Sequence, residues 1–267
     1  MVWSLVLLAV IITVSRSWGR LRADVTSRGV VLWLGIGSIF LAINWGLYVW
    51  AVESGLVIQA SLGYFINPLV TVLLGVIVLK ERLRRTQWAA LGIAVVAVCV
   101  LTIGFGQLPW IGLILAASFA IYGLIKKQVG VGSVESLTIE TGVLAPVALM
   151  VMTGFMVTGQ SAVESDGVWG VLLLVLLGPI TAVPLLLFGG ATNRVPLSTL
   201  GLMQYITPLA QFIIGYFVFG ESMSSTRWAG FLLVWTALVV FSIDMYRSAR
   251  RSAGSANPAN PVVTEPD

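Results

Sequence analysis

Apolar residues in this chain gather in long blocks broken by short polar stretches, with no sustained alternation of apolar and polar positions. Blocks of about 20 apolar residues, the length a helix needs to cross a hydrocarbon core of about 30 Å, recur along it. They lie at roughly 30–52, 57–79, 86–106, 109–125, 137–158, 168–192, 197–219 and 226–246. A shorter block, 1–15, opens the chain and reaches about 22 Å at 1.5 Å per residue. The pattern predicts an all-α integral membrane protein with nine transmembrane helices. From Ser248 the sequence "SARRSAGSANPANPVVTEPD" is small, polar and Pro-rich, and predicts a disordered tail over 248–267.

Composition sharpens this. The 267 residues are 58% hydrophobic and 10% charged, against about 25% charged in an ordinary soluble domain. A solvent-facing surface cannot be built from so few charges, so a lipid bilayer is the expected surrounding. The net charge of +4 carries no nucleic-acid signal, because the basic residues read as confined to short loops between apolar blocks. Cys99 is the single cysteine, which excludes an internal disulfide; within its apolar block it reads as a small buried residue. The absence of His, with no acid near the middle of any block, leaves little for acid–base or metal chemistry. No cofactor, metal site or catalytic residue is expected. No G-x-x-x-x-G-K-[ST] loop occurs, which excludes an ATP-driven pump within this chain.

Nine spans place the loops on alternating sides. Arg16, Arg20, Arg22, Arg28, Lys80, Arg82, Arg84, Arg85, Lys126, Lys127, Arg194, Arg247, Arg250 and Arg251 fall on one side, and only Arg227 on the other. Such a bias marks the basic side as cytoplasmic, with the C-terminus there. The opening block has its charges after it and lacks a convincing cleavage site, so it is not a cleaved signal peptide.

Shifted by 140 residues, the chain aligns with itself. "ASLGYFINPLVTVLLGVIVLKERLRRTQWAA" falls on "LGLMQYITPLAQFIIGYFVFGESMSSTRWAG" without a gap, matching Pro68 to Pro208, Gly75 to Gly215, Glu81 to Glu221 and Trp88 to Trp228. The first repeat is read over 1–107 with four helices, the second over 108–247 with five. A five-helix unit has an odd number of spans, so its copy inserts upside down, as in inverted-repeat transporters. The offset calls for one further helix before Met1, giving a ten-helix architecture of which the first helix is lacking here, through a misassigned start or a truncated gene.

Polar residues inside spans are costly and are functional candidates by default. Asn67 and Thr207 stand near the middle of their blocks, each followed by a proline. Pro68 and Pro208 lack an N–H and crowd the carbonyls of Tyr64 and Gln204, so each is expected to kink its helix. Pro146, Pro179 and Pro184 are expected to kink two more. Tyr64, Asn67, Gln204, Tyr205, Thr207 and Asn44 are the candidates for a substrate cavity, with Trp45 and Tyr48 beside Asn44; Gln59 and Gln211 are further polar positions. The alternative is that the prolines shape packing and that Asn67 and Thr207 satisfy the freed backbone. Glu53 is placed at the outer interface. Glu81 and Glu221 read as helix-end residues, and Glu140, near the cytoplasmic start of its span, is open between helix-end and coupling roles.

The stretch "NWGLYVWAVESGLVIQASLGYFINPLVTVLLGVIVLKERLRRTQWAALGIAVVAV", with "LPWIGLILAASFAIYGLIKK" and "VGSVESLTIETGVLAPVALM", resembles the RarD branch of the EamA-type transporters, in the drug/metabolite transporter superfamily. The resemblance covers most of the chain to about residue 245 and is looser in the second half. It implies ten helices in two inverted repeats, no soluble catalytic domain, and export or exchange of a small-molecule metabolite or drug. The chain departs from that pattern by starting at the family's second helix. A secondary transporter of the plasma membrane is therefore the expected function; a non-transporting remnant, or a membrane assembly or binding protein, is the alternative.

Overall fold

The structure is a computed structural model describing residues 2–106, 108–157, 162–213, 217 and 225–255. Among these residues it is all helical: α1 (Val2–Val14), α2 (Trp18–Thr26), α3 (Arg28–Glu53), α4 (Val57–Ile77), α5 (Arg85–Phe105), α6 (Trp110–Val129), α7 (Ser133–Val157), α8 (Ala162–Arg194), α9 (Leu197–Met203), α10 (Ile206–Ile213) and α11 (Ser225–Ser255). Six stretches, in α3 to α8, are long and apolar enough to cross a membrane. The pair α1 and α2, bent by 118°, makes a seventh if it is one span, and α11 contains a shorter apolar stretch, Trp228–Asp244. The outward faces are themselves apolar. Over Gly167–Arg194 only 11% of the most apolar stretch is buried, which suits a lipid surrounding and no aqueous one. This is a multi-pass membrane protein.

Three elements differ from the sequence expectation. The basic stretch after α1 is a helix, α2, where a loop was expected. The block 197–219 is not one helix: it breaks at Gln204-Tyr205, between α9 and α10. With no N–H at Pro208, the Gln204 carbonyl instead accepts the Thr207 N–H at 3.0 Å, and Pro208 becomes the third residue of a new helix, where a backbone N–H would be unpaired anyway. At the other end α11 continues through Ser255, past the Ser248 start of the expected disordered tail, in a segment rich in helix-forming Ala and Arg; residues 256–267 lie outside the described residues. By contrast α4, α7 and α8 run on through Pro68, Pro146, Pro179 and Pro184.

The chain forms two compact units, Met1–Glu81 with Pro109–Gly201, and Arg82–Leu108 with Leu202–Asp267. In the first, α6 packs against α3, α4 and α8, while α7 packs against α1, α2, α3 and α8. Small residues let these helices approach, as membrane packing without a strong hydrophobic drive requires. A Cβ on Gly63 of α4 would stand 3.1 Å from Leu115 Cβ and 3.2 Å from the Gly112 carbonyl oxygen of α6. The loop after α4 turns at Lys80 (φ 55°), and the Glu81 carboxylate then accepts the Leu197 and Ser198 N–H groups at 2.7 and 2.8 Å. Glu81 thus caps the start of α9, a helix-end role on a helix distant in sequence.

In the second unit α5 packs on α11, with Ala90, Leu91, Ala94, Ala97 and Leu101 buried from one side and Phe231, Val234, Ala237 and Phe241 from the other. Those α5 positions recur at helical spacing, and Cys99 falls off the stripe: it is exposed, correcting the expectation of a buried residue. Thr86 hydrogen-bonds Asp244, and Arg84 Nη1 pairs with the same carboxylate at 3.4 Å.

Candidate functional site

The sequence-predicted residues divide between the two units. In the first, α3 carries Asn44 and Tyr48, and α4 carries Tyr64, Asn67 and Pro68. The Asn44 amide donates to the Leu115 carbonyl at 2.7 Å and to Ser118 Oγ at 3.0 Å, tying α3 to α6. Tyr48 and Tyr64 pack edge to face, with ring centroids 6.2 Å apart. Asn67 is half-buried, and its Oδ1 accepts a long 3.5 Å contact from Thr71 Oγ1. In the second unit Gln204 and Tyr205 form the turn between α9 and α10. Tyr205 is buried, and its hydroxyl has no hydrogen-bond partner among the described residues. Thr207 is exposed and Pro208 buried. Glu221, and the side chains of Gln59 and Gln211, lie outside the described residues.

A polar cluster lies in the first unit around Glu140, which the sequence leaves open between helix-end and coupling roles and whose partners it does not indicate. Glu140 sits seven residues into α7, about 10 Å along the helix at 1.5 Å per residue, and is 2% exposed. Its Oε1 accepts Lys126 Nζ at 2.7 Å, and its Oε2 accepts the Tyr122 hydroxyl at 2.9 Å. Lys126 is 3% exposed and Tyr122 fully buried. This corrects the assignment of Lys126 to a loop: it lies in the last turn of α6 and its charge is sealed in an ion pair.

Local sequence explains the arrangement. Tyr122 and Lys126 are four residues apart and share one face of α6, with Nζ 5.1 Å from the Tyr122 ring centroid. Phe188 of α8 stacks on Tyr122 at 6.1 Å and meets Phe119 at 5.1 Å. A Cβ on Gly189 would stand 2.8 Å from Lys126 Cε, so glycine there leaves room for the lysine stem. The neighbouring charges have other partners. Arg20 Nε meets Glu135 Oε1 at 2.8 Å, and Lys127 Nζ donates to the Val195 carbonyl at 2.6 Å, just past the end of α8. One signal in the sequence was available: a tyrosine four residues before Lys126, and a carboxylate two turns inside the next span. Lys126-Lys127 as a pair masked it by resembling a loop.

Glu140 also borders a cavity of about 20 Å³, walled by Ser4 of α1, Leu41 and Trp45 of α3, Thr141 of α7 and Thr181 of α8 among others. That is room for on the order of one water, not for a substrate. Among the described residues there is no cluster of His, Cys, Asp or Glu able to hold a metal.

Fold and composition together define a multi-pass α-helical membrane protein, with a buried charge pair inside it. Residues 1–103 match the EamA-like transporter family. The chain is 49% identical over 263 residues to "Protein RarD" of Streptomyces exfoliatus, covering 98% of this chain and 84% of that one. It is 40% identical to the "Uncharacterized transporter YojE" of Bacillus subtilis, covering 94% and 85%. A solved structure described only as a crystal structure of a protein has a TM-score of 0.64 at 17% identity, covering 92% of this chain and 85% of that one; this likeness concerns the fold alone. The chain belongs to the EamA-like transporters, in their RarD branch.

Proposed function

We propose that this chain is a secondary transporter, a permease moving a small metabolite or drug across the plasma (inner) membrane by alternating access. The observation that carries the reading is near-full-length identity, 49% over 98% of the chain, to a RarD protein, with a second relative named as a transporter. In this reading nine spans form two inverted repeats, 1–107 and 108–247, and 248–267 is a cytoplasmic tail. Its partners are a small-molecule substrate and the lipid bilayer, and it is no enzyme.

The candidate substrate-contacting residues are Tyr64 and Asn67 in the first unit and, taken separately, Gln204, Tyr205 and Thr207 in the second, and Pro68 and Pro208 mark the segments that move. Asn67 is favoured by its half-buried position, Tyr64 by its place one turn before it. Asn44 is the weaker candidate, since its amide is already committed to α6. A thermal-shift screen of the purified protein against metabolites and drugs supplies a ligand, and its flux is then measured in proteoliposomes. Flux equal to that of protein-free liposomes sinks the transport reading. Asn67→Ala is expected to lower flux with the amount of folded protein unchanged; unaltered flux removes Asn67 from the path.

A further inference from the structure

We propose that the outer face of α2 is a binding site for anionic phospholipid headgroups, with Arg22 as its central ligand and Arg16 and Arg28 at its flanks. The inference goes beyond the transport reading and does not depend on it.

The orientation of α2 comes first. α1 packs along α7 and α8 and so runs with the spans. α2 is turned from it by 118°, which lays it nearer to the membrane plane than to the membrane normal. One side of this short helix is fixed to the helices behind it. Leu21 is buried in a cluster with Ile12, Leu34 and Ile139. Arg20 Nε meets Glu135 Oε1 at 2.8 Å, and its Nη2 donates to the buried Ser17 Oγ at 2.7 Å. Asp24 lies near Arg20 and Glu135.

The opposite side holds Trp18, Arg22 and Val25, spaced four and three residues apart and therefore on one face. Trp18 is 46% and Val25 53% exposed, and Arg22 between them is exposed. This face continues the outward side of α1. Val6, Val10 and Val14 are exposed there, and the Trp18 indole N–H donates to Thr13 Oγ1 at 3.3 Å, on the same side. A tryptophan where an apolar helix gives way to an arginine-rich one has the position of an interfacial anchor. A cation flanked by apolar side chains, on the free face of a helix lying in the interface, suits a charged lipid surface.

The charges decide which lipid. Among the described residues the ion pairs are Arg20–Glu135, Arg84–Asp244 and Lys126–Glu140. Arg16, Arg22 and Arg28 are exposed and their charges are uncompensated, since the nearby acids Asp24 and Glu135 are turned to Arg20. Basic clusters beside a span attract anionic headgroups, and a guanidinium matches a phosphate with two parallel hydrogen bonds. A free anion would use the arginines alone and leave Trp18 and Val25 in water. A phospholipid covers both, with its phosphate on Arg22 and its upper acyl carbons on the apolar pair.

The test titrates the purified full chain in detergent with phosphatidylglycerol or phosphatidylcholine, followed by native mass spectrometry. The wild type is expected to prefer phosphatidylglycerol. Arg22→Gln is expected to weaken that binding about fivefold, Arg16→Gln/Arg22→Gln more, and Arg22→Lys less than Arg22→Gln. Arg194→Gln removes an equal, exposed charge at the end of α8 and is expected to leave binding unchanged. Equal losses for Arg22→Gln and Arg194→Gln overturn the proposal, because net charge alone then accounts for the binding. Displacement of the lipid by inorganic phosphate, at ionic strength matched with chloride, overturns it too. In phosphatidylcholine nanodiscs, phosphatidylglycerol brominated on its upper acyl carbons is expected to quench wild-type fluorescence more than that of Trp18→Phe. Equal quenching means that protein, a second copy or another chain, covers α2, and overturns the proposal. Arg22 and Trp18 stand on the side of α2 away from its packing, so these variants are expected to keep the wild-type unfolding midpoint.

Discussion

The two segments that align best in this chain, around Pro68 and around Pro208, have different backbones. In α4 the helix continues through Pro68 for a further nine residues. In the aligned segment the helix stops at Met203 and restarts at Ile206, so that Pro208 sits in a first turn. The local problem is the same in both: a proline without an N–H, and a carbonyl four residues earlier without its usual donor. What differs is the packing described around each. α4 is pressed against α6 at Gly63. On another side, a Cβ on Gly201 of α9 would stand 3.0 Å from the Pro68 carbonyl oxygen and 3.1 Å from Thr71 Cβ. α10 has a lighter contact, with α11. Among the described residues, the proline carried inside its helix is the one with close neighbours on two sides.

Exchanging the prolines probes this contrast with the largest expected effect. An interior proline costs a helix about 3 kcal/mol, so Pro68→Ala is expected to raise the thermal unfolding midpoint in detergent clearly, while Pro208→Ala stays within a few tenths of a kcal/mol because a first-turn N–H is unpaired in any case. Equal shifts for the two variants would erase the distinction. Next comes Gly201→Val, which pushes a side chain into Pro68, Thr71 and Val72; overpacking of this kind costs about 1–3 kcal/mol, measured as a lowered midpoint. An unchanged midpoint would mean that α9 does not restrain α4. The smallest effect is expected from Glu81→Ala. It removes the side-chain cap of α9, worth about 0.5–2 kcal/mol, with Glu81→Gln retaining part of that value; a neutral Glu81→Ala would assign the cap no energetic weight.

The relation of sequence to site follows the same logic. Apolar block length placed α3 to α8 within a few residues, because a span must match the hydrocarbon thickness and satisfy its own backbone. Glu81 was legible as a helix-end residue, yet its partner helix was not, since Leu197 is 116 residues away. Asn44 and Tyr64 stand out as candidates because they carry polar atoms inside apolar blocks, and the structure shows Asn44 tying α3 to α6. The Lys126–Glu140 pair was missed because each residue lies near the end of its block, where a charge reads as loop or interface.

The sequence by itself determined that this chain lives in a bilayer, roughly where its helices run, and to which family it belongs. The first two depend on composition and on one-dimensional block length, and the family on the order of particular residues along the chain, none of which folding alters. Only the tertiary structure decided that Lys126 faces Glu140 across two helices, that Glu81 caps α9, and that one aligned proline is threaded through a helix while the other begins one. These depend on which helix faces come together, and the close approaches allowed by Gly63, Gly189 and Gly201 are contacts between residues far apart in the chain, to which no local pattern in sequence corresponds.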